Sequence, residues 1–115
     1  AEYASTIGKQ WSAEELMVRG EEVYERSCAA CHQSNGEGIP GVFPALKNSP
    51  IALGPMVGHI AVLIDGVAGT SMQSFADQLS EVDIAAVVHY ERNAWDNNVG
   101  DVTQPLDVLN YKQSK

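Results

Sequence analysis

Between residues 33 and 55 the chain carries Gly36, Gly38, Pro40, Gly41, Pro44, Pro50 and Gly54. That density of breakers forbids both a long helix and a central strand. A loop of such length is uncommon in a compact domain unless something other than protein organises it. With 115 residues there is room for one such domain, so the segment is expected to wrap a ligand, with at most a helical turn over residues 45–47. Residues 27–70 hold one basic and two acidic side chains, which makes this region nearly neutral in a chain of net charge −8. The acidic balance excludes a nucleic-acid surface, which needs clustered Lys and Arg. No apolar run is long enough to span a bilayer.

Helical signals flank the loop. Ser12 followed by Glu15 forms a capping box, with Trp11 and Leu16 at the staple positions. Leu16, Gly20, Val23, Tyr24 and Ser27 then recur at helical spacing, predicting a helix that ends near Ser27. Val57, Ile60, Ala61 and Ile64 predict a second, short helix terminated by Gly66. Ser80 with Asp83 repeats the cap, and Ile84, Val87, Val88, Glu91 and Trp95 form the inner stripe of a third helix ended by Asn97, Asn98 and Gly100. His89 falls off that stripe and is expected at the surface, whereas His59 lies beside the stripe of the second helix. Residues 101–115 read as a loosely attached tail.

Cys28, Cys31 and His32 form a Cys-x-x-Cys-His run directly after the first helix. In c-type haem attachment the two thiols add across the vinyl groups on one edge of the macrocycle, and the adjacent imidazole swings under the iron. A redox-active thiol pair would belong at the start of a helix after a strand. A zinc site would draw on Cys28, Cys31 and two of His32, His59 and His89, a set without the usual spacing. Haem also supplies the apolar body that the long loop lacks. Candidates for a distal ligand are Met17, Met56, Met72, His59 and His89. Met17 is too near the attachment run and reads as a packing residue.

With these residues in place the sequence resembles the class I cytochromes c. Gly20 and Tyr24 stand where that family has a small residue and an aromatic on its first helix, and Tyr90 where it has the partner aromatic. The resemblance implies an all-α fold: three main helices and long loops wrapped around one covalently attached haem c, with residues 1–10 an N-terminal extension, 11–100 the monohaem domain and 101–115 the tail. It implies that the carbonyl of Pro44 accepts the proton of the His32 imidazole, and that Met72 is the axial thioether opposite His32. Gln73 stands where most of the family has proline, which leaves that loop less stiff. The indole of Trp95 is expected either in the core or on a haem propionate.

Residues 11–97 are similar, in particular, to the cytochrome c domain at the carboxyl end of subunit II of some bacterial cytochrome c oxidases. That implies a one-electron carrier, not an enzyme in itself, which passes electrons to the binuclear copper centre and takes them from a cytochrome c or a quinol-oxidising complex. Contact is expected to run through Ile39, Val42 and Met72. The alternatives are an independent periplasmic cytochrome c, or a haem enzyme or gas sensor with a labile sixth ligand. No secretory leader precedes Ala1, which leaves a cytosolic chain or a mature or excised piece. The resemblance implies a piece on the periplasmic side, or at the periplasmic face of the inner membrane if part of the oxidase.

Overall fold

The computed structural model describes residues 7–114, so most of the extension expected over residues 1–10 lies outside the described residues. Helices α1 (Ala13–Ser27), α2 (Ala29–His32), α3 (Pro50–Leu53), α4 (Met56–Asp65), α5 (Glu81–Asn93) and α6 (Pro105–Gln113) follow in order. Among the described residues, β pairing is limited to one bridge between Ile39 and Phe43. The architecture is all-α, as expected.

The capping box closes α1 as the sequence dictates. Ser12 Oγ accepts from the Glu15 amide at 3.1 Å, and the Glu15 carboxylate accepts from the Ser12 amide at 3.0 Å. The buried face of α1 is Leu16, Gly20, Val23 and Tyr24. It lies across α5, and a Cβ on Gly20 would stand 2.6 Å from the Cβ of Tyr90 and inside contact of the Ala86 carbonyl. Glycine is therefore what lets the two backbones touch. Arg19 bridges to Asp83 at 2.7 Å across the same crossing, a partly exposed pair contributing about 0–1 kcal/mol.

Helix α4 ends at Gly66, which takes φ 71°. Its buried face is His59, Ile60, Leu63 and Ile64, while Val57, assigned to the inner stripe by spacing, is 58% exposed. The turn expected over residues 45–47 forms slightly later, closed by the Ser49 amide on the Leu46 carbonyl. It runs into α3, which the sequence pattern did not reveal; Ser49 caps α3 and Pro50 opens it.

Residues 101–115 correct the sequence reading. Pro105 starts α6, and the Gln104 side chain both accepts from the Trp11 amide at 2.8 Å and donates to the Trp11 carbonyl at 2.9 Å. The two ends of the domain are thereby tied. Val108 is fully buried against the core, and Lys112 reaches Glu81 at 2.9 Å. With α1 on one side and α6 on another, α5 is covered nearly all round. His89 is accordingly buried, not solvated.

Helix α5 also stops earlier than its sequence suggested, at Asn93. The Asn93 side chain turns back to donate to the His89 carbonyl at 2.9 Å and accepts from the Gly100 amide at 3.1 Å. Asn97 is buried and donates to the carbonyls of Glu91 (2.8 Å) and Leu46 (3.2 Å), while accepting from the Asn48 amide (2.9 Å). It cross-links the helix end to the long loop.

Candidate functional site

The long loop, the α1–α2 junction, α4 and the segment before α5 enclose a cavity of about 420 Å³. Cys28, Cys31, His32, Pro44 and Met72 all line it, with apolar walls from Leu46, Val62, Leu63 and Phe75 among others. Five of the six residues expected to serve a cofactor thus meet on one space. Trp95 is the exception. It does not line the cavity, and its Nε1–H donates to the Ser34 carbonyl at 2.8 Å. Its ring packs against Tyr24 and Tyr90 at centroid distances of 4.9 and 5.4 Å, so of the two expected roles it takes the packing one. Gly36 makes this possible, since any Cβ there would stand 2.5 Å from the indole.

His32 closes the short helix α2, and its Nδ1 lies 2.9 Å from the Pro44 carbonyl oxygen. A carbonyl only accepts, so Nδ1 carries the proton and Nε2 keeps a free lone pair. Gly38 sets this geometry. Its amide donates to the His32 carbonyl at 2.9 Å, and a Cβ there would stand 2.6 Å from the Pro44 oxygen. The family resemblance pointed to the bond; the part played by Gly38 did not show in the sequence.

Met72 enters from the loop after α4. Gln73 in place of proline does not leave this loop unsupported. The Thr70 hydroxyl accepts from the Met72 amide at 3.1 Å, the Met72 carbonyl accepts from Val67 at 2.9 Å, and Phe75 donates to the Leu63 carbonyl at 2.8 Å. These bonds hold the backbone at Met72 and at Phe75 on either side of Gln73.

Both cysteines are unpaired. Burial, and secondarily the charge of Glu91, pushes the Cys28 thiol well above the usual range. A redox-active thiol needs the opposite shift, and among the described residues no strand precedes the run, which follows a helix instead; both speak against the thiol-pair reading. The zinc reading fails as well. Among the described residues no group of three or more His, Cys, Asp or Glu could hold a metal ion, and both ring nitrogens of His59 are engaged, one on the Ala52 carbonyl (3.2 Å) and one on Glu91 (2.7 Å). A pair of thiols, an imidazole with a free Nε2 and a thioether around an apolar cavity instead fit a covalently attached haem.

His59 and Glu91 both line the cavity and are both buried. Sequence reasoning placed Glu91 on the apolar stripe of the third helix without giving it a role, yet a carboxylate on a buried face is itself a signal. Next to it, Arg92 is 2% exposed, donating to the carbonyls of Ala52 (3.1 Å) and Gly54 (2.7 Å) and to Asp101 (3.0 and 2.6 Å).

The family described as cytochrome c oxidase, cbb3-type, subunit III matches residues 7–90. Cytochrome c-552 of Thermus thermophilus is 35% identical over 100 residues, covering 66% of this chain and 67% of that protein. The cytochrome c subunit of the quinone alcohol dehydrogenase of Gluconobacter oxydans (strain 621H) is 29% identical over 99 residues, covering 77% of this chain but 21% of that protein. This chain therefore spans about a fifth of the length of that relative. Among solved structures, cytochrome cL from Hyphomicrobium denitrificans aligns with a TM-score of 0.57 at 27% identity, over 70% of this chain and 48% of that one.

Proposed function

Because the chain belongs to the cytochrome c family, whose domain binds a covalently attached c-type haem, we propose that it is a one-electron carrier ligated by His32 and Met72. Held in the cavity, the haem supplies a one-electron iron couple. Cys28 and Cys31 anchor it. His32 offers Nε2, and the Pro44 carbonyl keeps the proton on Nδ1, fixing the ring and raising its basicity. Met72 offers the thioether from the opposite loop, and the apolar walls exclude water. With His32 and Met72 both holding the iron, no open site would remain for a substrate, and one-electron transfer is the chemistry the group would supply. The observation that carries this reading is the His32–Pro44 bond facing the same cavity as Met72.

The proposed acceptor is the binuclear copper centre of oxidase subunit II, and the proposed donor a cytochrome c or a quinol-oxidising complex, at the periplasmic face of the inner membrane. The resemblance of residues 11–97 supports the first, and the oxidase family that matches residues 7–90 agrees with an oxidase setting. The rim of the cavity suits a brief apolar contact, since Val42 (65%), Ile51 (59%) and Val67 (41%) line it and are exposed. Among the described residues no helix is long and apolar enough to cross a membrane.

The test is the pyridine haemochrome together with the oxidised absorption spectrum of the purified holoprotein. Two thioether links and a methionine-to-iron charge-transfer band are expected, with the band lost in Met72→Ala. Persistence of the band in that variant, or rapid carbon monoxide binding by the reduced wild type, overturns the ligand assignment. Stopped-flow oxidation by a soluble copper domain, weighed against reduction by a quinone-dependent dehydrogenase, decides between the partners.

A further inference from the structure

Two ionisable groups in the cavity wall are not among the residues proposed above to anchor or ligate the haem. The side chains of His59 and Glu91 are 4% and 5% exposed, with Nε2 2.7 Å from Oε1. His59 Nδ1 lies 3.2 Å from the Ala52 carbonyl, which only accepts, so Nδ1 carries one proton. A second proton must lie between Nε2 and Oε1, because two lone pairs do not face each other at that distance. The pair therefore holds one proton in common.

The charges around it are fixed or suppressed. From α1 comes Tyr24, kept protonated first by burial and then by the charge of Glu91, and after it Cys28, which as a haem anchor would carry no ionisable proton. On α5 itself Tyr90 is shifted the same way, first by burial, and Arg92 is neutralised by Asp101. From α3 and the turn after it come the carbonyls of Ala52 and Gly54. Among the described residues Glu91 is the sole carboxylate lining the cavity. A unit change of charge inside such a wall is felt more strongly than in water.

We propose that His59 and Glu91 form a proton-binding site coupled to the electron carried in the cavity. The inference rests on the electron-carrier reading above. When the electron leaves to the partner redox protein, the cavity gains one positive charge, and the proton shared by Nε2 and Oε1 is released to bulk water as the two side chains move out of hydrogen-bond distance. Reduction reverses both transfers, so one electron and one proton balance. A pair that merely joined α4 to α5 would add nothing to the pH dependence of the potential.

The test is a potentiometric titration of the holoprotein from about pH 5 to about pH 9. In the wild type the potential is expected to fall with rising pH, toward a limit of tenfold in the reduction equilibrium per pH unit, about 59 mV for one electron. Glu91→Gln keeps the size but cannot release the proton, and should remove this limb while leaving any slope from haem propionates. If Glu91→Gln does not retain haem, His59→Gln is measured in the same way with the same expectation. Proton uptake on reduction, followed with an indicator in weak buffer, should disappear along with the limb. A slope equal in wild type and variant overturns the proposal, and so does a wild type that takes up no proton, whatever the variants do. Loss of the methionine charge-transfer band during the titration reports failure of the ligand assignment instead, which keeps the two outcomes apart.

Discussion

Replacing Gly20 by Ala sets two known effects against each other. In a helix interior Gly→Ala is worth about 1 kcal/mol of stabilisation. Against that, the new methyl would stand 2.6 Å from the Tyr90 Cβ and closer still to the Ala86 carbonyl, where carbon contacts are comfortable at about 3.5–4.0 Å. Helix α5 must then retreat by on the order of 1 Å, loosening its contact with Leu16, Val23 and Tyr24, all fully or almost fully buried. Overpacking of this kind costs about 1–3 kcal/mol, and here the obstacle includes backbone, which yields less than a side chain. A net loss of ~2 kcal/mol is expected, which lowers Tm by roughly 10 °C in a domain of this size. Gly58→Ala is the matched control. Gly58 sits in α4, and a methyl added there would meet nothing within 4 Å, so that variant should gain up to about 1 kcal/mol. Guanidinium unfolding of both holoproteins, followed by far-ultraviolet circular dichroism, measures the two. A Gly20→Ala protein as stable as the wild type would refute the close-crossing argument.

Three further outcomes follow from the structure. Val108→Ala should destabilise the domain by roughly 1.5–3 kcal/mol in the same unfolding assay, because the residue is fully buried against the core; an unchanged midpoint would mean that α6 is not part of the cooperative unit. Thr103 is fully buried with no partner for its hydroxyl among the described residues, so Thr103→Val should stabilise by about 1 kcal/mol, read as a higher denaturation midpoint. Burial holds the His89 imidazole below its ordinary value of 6.5. The neutral ring is therefore favoured in the folded state, and its contribution is fully present above that value and lost as pH falls through the lower folded one. Wild type should lose more stability than His89→Gln on acidification from about pH 7 to about pH 5, and equal losses would argue against this assignment.

What was legible in the sequence is what local chemistry decides. The caps at Ser12 and Ser80 need only residues three positions away, and Gly66 ends α4 through its own positive φ. The convergence of Cys28, Cys31 and His32 was legible in the spacing of one short run, whereas Pro44 and Met72 were placed with them by the family resemblance. His89 and residues 101–115 were misread for one common reason. A helical stripe tells which residues can be buried together but not how many neighbours the helix has, and α5 has neighbours on more than one side. Once α6 and the residues leading into it cover α5, the polar side of α5 must be satisfied from within the protein, as the Lys112–Glu81 and Arg92–Asp101 pairs show. The same logic makes Glu91 informative. A carboxylate held in an apolar wall opposes the burial that builds the fold, and its neutral alternative, Gln, would keep the size at lower cost. Its presence beside His59 is therefore better explained by the proton the two share than by the contacts they make.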